Sequence, residues 1–170
     1  MNRTVVLLFL VLSASLASAQ SPLGEEGNQF SLSSGYTTTG IPISVNYELG
    51  INEDISFGVE ASFRIYNESG DTSDYDHNIV GLSFFGNYYF NTLLNLDDDK
   101  WGLYGGVHLS YYKWFSPKGY NESGESSSTL AIGLQLGGRY YFGKNFGVFL
   151  EARGNNDYLG GNLGVTFRLY

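Results

Sequence analysis

The chain has 170 residues, with nine basic and seventeen acidic side chains, a net charge of −8 and no cysteine. That length suits one domain, the acidic balance excludes a nucleic-acid partner that would need a basic surface, and the missing thiols exclude both a disulfide framework and a thiolate metal site. Charged residues are only 15% and aromatics 16%, with 23 glycines, whereas a soluble domain carries roughly 25% charged residues, so a water-facing surface is hard to build from this composition.

The N-terminus reads as a secretory signal peptide. Met1-Asn2-Arg3 is basic, Val5–Leu12 is apolar, and Ala17-Ser18-Ala19 is a small-residue cleavage site in the order such leaders use. The apolar run is too short to span a bilayer as a helix. Residues 1–19 are therefore expected to leave. Residues 20–170 form the mature domain, with eight basic residues against seventeen acids and a net charge of −9.

From there the chain alternates. A strand sends successive side chains to opposite faces, and eight segments follow that period. A weaker first segment near 27–36 carries Phe30 and Leu32. In the second, Ile41, Ile43, Val45, Tyr47 and Leu49 oppose Ser44, Asn46 and Glu48. In the third, Ile55–Tyr66, Phe57, Val59, Ala61 and Phe63 oppose Gly58, Glu60, Ser62 and Arg64. Val80 to Phe90, Trp101 to Ser110, Leu130 to Tyr140, Phe146 to Arg153 and Leu163 to Leu169 repeat the pattern. Most of these segments exceed the usual five or six residues of soluble strands and match the roughly nine to eleven tilted residues that cross a bilayer. Short turns, Asn52-Glu53-Asp54 and Gly143-Lys144-Asn145, together with the connection Asn91–Asp99, define one end. Thr37–Gly40, Asn67–His77, Ser116–Ser128 and Asn155–Tyr158 read as loops at the other. Long loops at one end and short turns at the opposite end are the layout of outer-membrane barrels.

Alternation alone leaves open which face meets water, and a lipocalin-like soluble carrier would turn its apolar face inward. Three features point the other way. The polar face is rich in glycine, serine and alanine, which suit the narrow lumen of an eight-stranded barrel. Its charges nearly balance, with Glu48, Glu60 and Glu151 against Arg64, Arg139, Arg153 and Arg168, a set that can pair in an interior where lone charges are costly. An arginine on the lipid face costs about 2–4 kcal/mol at the midplane, so the arginines belong in the lumen and the apolar face belongs against lipid. Lys113 shares a face with Leu109 and Tyr111. Either it snorkels to the headgroups or the alternation slips within Tyr111–Phe115.

Aromatics recur at one level. Phe57, Trp101 and Phe146 open three strands, each followed by glycine, while Tyr88, Phe90, Tyr140 and Phe142 close two others. All fall at the short-turn end, as an aromatic belt at a bilayer interface would.

Together with the leader and the alternation, "FGVFLEARG" at Phe146–Gly154 and "GGNLGVTFRLY" at Gly160–Tyr170 resemble the small outer-membrane barrels of the OmpX/OmpA type. The resemblance covers the whole mature chain and rests on pattern. Tyr170 departs from it, falling in phase with Thr166 and Arg168 instead of with Leu163, Val165, Phe167 and Leu169. The resemblance implies an all-β, eight-stranded antiparallel up-and-down transmembrane barrel in the outer membrane of a Gram-negative cell. It implies contact with outer-membrane lipid and lipopolysaccharide, assembly by the barrel-assembly machinery, and a structural or surface-interaction role through the loops Asn67–His77 and Ser116–Ser128. Nothing in the sequence names an extracellular partner. No further domain is expected after the last strand.

Other classes have their own signals. A small pore would leave the lumen open; the charge set predicts a plug. Lipid A-deacylating barrels pair a His with a Ser two residues on, and His108 and Ser110 have that spacing with Glu122 as a conceivable acid; the register turns the pair to the lumen, away from lipid, so no enzyme is expected. Asp74, Asp76 and Asn78 imitate the start of a calcium loop, but Ile79 stands where glycine is required and Phe85 where the distal glutamate belongs. Asp97-Asp98-Asp99 reads as a solvated turn. The glycines sit inside strands and form no phosphate-binding loop, so neither cofactor nor metal is expected.

Overall fold

A computed structural model describes residues 23–24, 27–69, 74–96, 100–115 and 128–169. The expected signal peptide, the acidic run Asp97–Asp99, nearly all of Ser116–Ser128 with Glu122, and Tyr170 lie outside the described residues, as do the side chains of Glu68, Asp71, Asp74 and Asp76.

Eight strands follow one another: β1 (Asn28–Thr37), β2 (Ile41–Gly50), β3 (Ile55–Ser69), β4 (Asp74–Tyr89), β5 (Trp101–Phe115), β6 (Thr129–Tyr141), β7 (Phe146–Asn155) and β8 (Leu159–Leu169). Each pairs antiparallel with its neighbour, and β8 closes on β1 from Asn28↔Leu169 to Thr37↔Gly160. Closure removes both sheet edges and satisfies the backbone within the wall, which a hydrocarbon environment demands. Among the described residues no helix is long and apolar enough to cross a membrane; the crossing elements are strands.

The barrel is inside-out relative to a soluble protein. In β2 every second residue from Pro42 to Gly50 is buried and every other one exposed. In β6 Leu134 is 68% exposed while its neighbour Gln135 is 5% exposed. The outer wall is Leu, Ile, Val and Phe, and the buried set is mostly Ser, Thr, Asn, Gln, Glu and Arg. Lys113 lies exposed on the outer wall opposite Val80, so the alternation runs unbroken through Tyr111–Phe115.

Two elements differ from expectation. The polar stretch Asn67–His77 reads as a loop, yet β3 runs to Ser69 and β4 starts at Asp74, paired to each other at their tips. Polar composition marks contact with water, not the absence of strand, and beyond a bilayer both faces of a hairpin can be hydrated. The connection after β4 contains a one-turn helix, α1 (Asn91–Leu94), ended by Asn95 in the left-handed region. Asn91 holds it to the wall by donating to the Trp101 carbonyl and accepting from the Leu103 amide.

The rim at the long-loop end is uneven. Ile41 opens β2 opposite Ile65, so β3 continues four residues past the low β1–β2 turn. Gly133 pairs with Asn155, so β6 likewise rises above the β7–β8 turn. Four residues correspond to about 13 Å of strand.

Candidate functional site in the barrel lumen

The lumen is filled from three levels. At the short-turn end Glu48 of β2 gathers donors from four other strands. Its carboxylate faces Arg139 Nη1 at 2.6 Å and accepts from Gln29 Nε2 at 2.8 Å, Ser56 Oγ at 2.5 Å, Asn87 Nδ2 at 3.1 Å and Tyr89 Oη at 3.0 Å. Every lone pair of a buried carboxylate needs such a partner, because desolvation otherwise outweighs attraction to one cation. Below it, Gln29 Oε1 accepts from Tyr141 and Thr166, and Arg168 stacks on the Tyr141 ring at 3.5 Å.

At the middle level Arg153 of β7 reaches across to β3. Its Nη1 and Nη2 donate to the two oxygens of Glu60 at 2.5 and 3.1 Å, and its Nε donates to Glu151 at 3.1 Å. Tyr104 joins the two levels: its hydroxyl donates to Glu151 at 2.9 Å, and its ring lies 4.6 Å from the Arg139 guanidinium. Glu48, Arg139, Tyr104, Glu151, Arg153 and Glu60 thus form one unbroken chain through the lumen. Glycine makes room for it. A Cβ at Gly137 would collide with the Tyr104 ring, and one at Gly58 with Phe85. The cavity bordered by Ser44, Glu60, Arg153 and Asn162 measures only about 10 Å³, space for about one water molecule.

The outer mouth is built differently. Arg64 lies against the rings of Tyr112 and Tyr158, 4.7 Å from each centroid, and its Nη1 donates to Thr39 Oγ1 at 2.7 Å and Thr37 Oγ1 at 3.4 Å. Among the described residues no carboxylate pairs with it. Glu60, four residues down the same strand face, is already held bidentately by Arg153, and the groups around Arg64 are tyrosine rings and threonine hydroxyls. Tyr112 donates to Tyr158 at 3.1 Å, and Ile79, Ala131, Tyr66 and Trp114 pack around the pair. His77, read from the sequence as a loop residue, is fully buried here beside the Tyr66 and Trp114 rings. The sequence signal for this aromatic cap was present but weak: Tyr66, Tyr112 and Trp114 all fall in phase with the polar face of their strands.

His108 and Ser110 both face the lumen, where each has a partner of its own. Ser110 Oγ lies 2.7 Å from Ser83 Oγ, while His108 Nε2 lies 3.4 Å from the Asn155 amide. Among the described residues no group of three His, Asp or Glu side chains is placed to hold a metal ion.

On the outer wall the seven aromatics Phe57, Tyr88, Phe90, Trp101, Tyr140, Phe142 and Phe146 all stand at the short-turn end. Trp101–Tyr140 (4.9 Å), Tyr140–Phe142 (5.2 Å) and Phe142–Phe146 (5.8 Å) make a continuous row, which Phe167 extends at 5.4 Å from Phe146. Tyr88 and Phe90 pair at 5.6 Å, and the Phe57 ring covers Gly86. Tyr36, Tyr111 and Phe115 are exposed on the wall toward the opposite end.

No protein-family model and no curated protein matches the sequence. Solved structures do match. The outer membrane protein OprG of Pseudomonas aeruginosa superposes with a TM-score of 0.61 at 10% identity, covering 88% of this chain and 99% of that one. Neisserial surface protein A gives 0.58 at 16% identity, with 84% and 95% covered. The N-terminal β-barrel domain of P. aeruginosa OprF gives 0.57 at 16% identity, with 86% and 99% covered. With its closed antiparallel wall and apolar exterior, the chain has the eight-stranded transmembrane barrel fold of small outer-membrane proteins of the OmpX/OmpA type.

Proposed function

We propose that this chain is exported by a cleaved leader, residues 1–19, and that residues 20–170 form an outer-membrane barrel whose lumen is plugged. In this reading the protein is a structural or surface-interaction element. It sits among outer-membrane lipid and lipopolysaccharide, is inserted by the barrel-assembly machinery, and presents its longer hairpins to the exterior. Glu48, Glu60, Arg64, Arg139, Glu151, Arg153 and Arg168 form the plug, and the aromatic row marks the periplasmic interface.

One observation carries the reading: the charged chain from Glu48 to Glu60 crosses the lumen through Tyr104, with room for about one water beside it. Ions would have to break bidentate pairs to pass. A barrel with an even strand number keeps both ends of its chain on the short-turn side, the periplasmic side in such proteins, which puts the tall β3–β4 and β5–β6 hairpins outside. The experiment is conductance of the refolded mature chain in planar bilayers. Closed traces are expected for the wild type and open events for Glu60→Ala; steady wild-type conductance would replace the plug with a small pore.

A further inference from the structure

The uneven rim leaves a cleft. Where the β1–β2 turn stays low and β3 continues upward, an open recess of about 470 Å³ joins the outer wall to the lumen mouth. Its wall is apolar, with exposed Ile41, Ile43, Phe63 and Ile65; its inner end is Arg64, and Thr38 and Gly40 form its sill. From Phe57 in the aromatic row to Ile65 the strand climbs about 20 Å at a barrel's tilt, against an apolar band about 25 Å tall. The sill therefore stands near the outer-leaflet headgroups.

Arg64 is suited to an anion. The Tyr112 and Tyr158 rings, 5.8 Å apart and edge to face, both lie to one side of its guanidinium. Nη1 makes both of its hydrogen bonds to threonine hydroxyls; among the described residues Nε and Nη2 make none. A guanidinium edge binds oxyanions bidentately. The Nε and Nη2 donors form a charged fork of the kind that holds a phosphate.

We propose that the cleft binds one phosphorylated lipid of the outer leaflet, with a phosphate on Arg64 and an acyl chain along Ile41, Ile43, Phe63 and Ile65. The site needs the barrel to be folded but not its lumen to be closed, so a conducting wild type would leave it standing.

The test uses the mature chain folded in nonionic detergent and titrated with bisphosphorylated lipid A, with bound lipid counted by native mass spectrometry and folding checked by heat-dependent gel mobility. One saturable lipid per barrel is expected. Arg64→Gln should weaken binding at least tenfold, Arg64→Lys by only about threefold, and lipid A stripped of phosphate should bind no better than to the Arg64→Gln variant. Ile43→Trp fills the recess from the lipid side without touching the lumen, and it should weaken binding as strongly. That variant decides the matter should Arg64→Gln not fold. Equal binding of phosphate-free lipid A, undiminished binding by both variants, or preference for palmitate over lipid A would each overturn the proposal.

Discussion

The middle of the lumen and its outer mouth both hold a buried arginine, and they hold it by different physics. Arg153 is fixed in its plane by two carboxylates, with bidentate bonds to Glu60 and a further bond to Glu151. Arg64 is held on one side by a pair of tyrosine rings, with hydroxyls as its only hydrogen-bond partners among the described residues. The first arrangement gives every charged member a bonded partner and makes a stopper. The second brings no carboxylate to the guanidinium among the described residues, so within them it leaves a cation with unbonded donors at the outer mouth. Charge neutralisation is demanded where the wall is surrounded by hydrocarbon and relaxes where water is near.

The largest effect expected from breaking this contrast is at Arg153. Arg153→Met strands Glu60 and Glu151 beside each other without a cation. Unfolding by urea in lipid vesicles, followed by gel mobility, should show a loss of about 3–5 kcal/mol, with ion conductance appearing in bilayers. The triple change Glu60→Gln, Glu151→Gln, Arg153→Met should recover much of the stability while leaving the leak, because it removes the stranded charges but not the gap.

A smaller effect belongs to the outer wall. Leu134→Arg places a cation at mid-height against lipid and should cost about 2–4 kcal/mol in the same assay. Lys113→Leu, near the rim, should change stability by less than about 1 kcal/mol. Equal costs at the two positions would contradict a lipid boundary between them.

Arg64→Gln comes next, with an expected loss of about 1–2 kcal/mol, since it forfeits two ring contacts and no ion pair. A loss as large as that of Arg153→Met would mean the mouth carries a carboxylate partner after all. Tyr140→Ala is expected to be mildest, about 1 kcal/mol, from two ring–ring contacts in the aromatic row.

Much of this was legible from residues alone. The period of two along Ile41–Ile51 and Ile55–Tyr66 already separated lipid-facing from lumenal positions, and the cost of arginine in lipid assigned the faces. Glu60, Glu151 and Arg153 could therefore be placed inside together. Their pairing could not be read. Glu60 and Arg153 are 93 positions apart and meet across the diameter of the barrel, not along a ladder. Tyr104 was merely one more inward residue until its hydroxyl was seen on Glu151 and its ring on Arg139. Asn67–His77 misled because turn-rich composition and hydrated strand look alike in sequence, and the burial of His77 depends on Tyr66 and Trp114 from two neighbouring strands.

The sequence by itself determined which residues face lipid and which face inward, because a strand permits only two directions and a hydrocarbon boundary tolerates only one kind of side chain. Tertiary structure alone decided who meets whom inside, and which part of the rim stays low. Those follow from the stagger and closure of eight strands, a global constraint that brings residues far apart in the chain to one level and that no local period encodes.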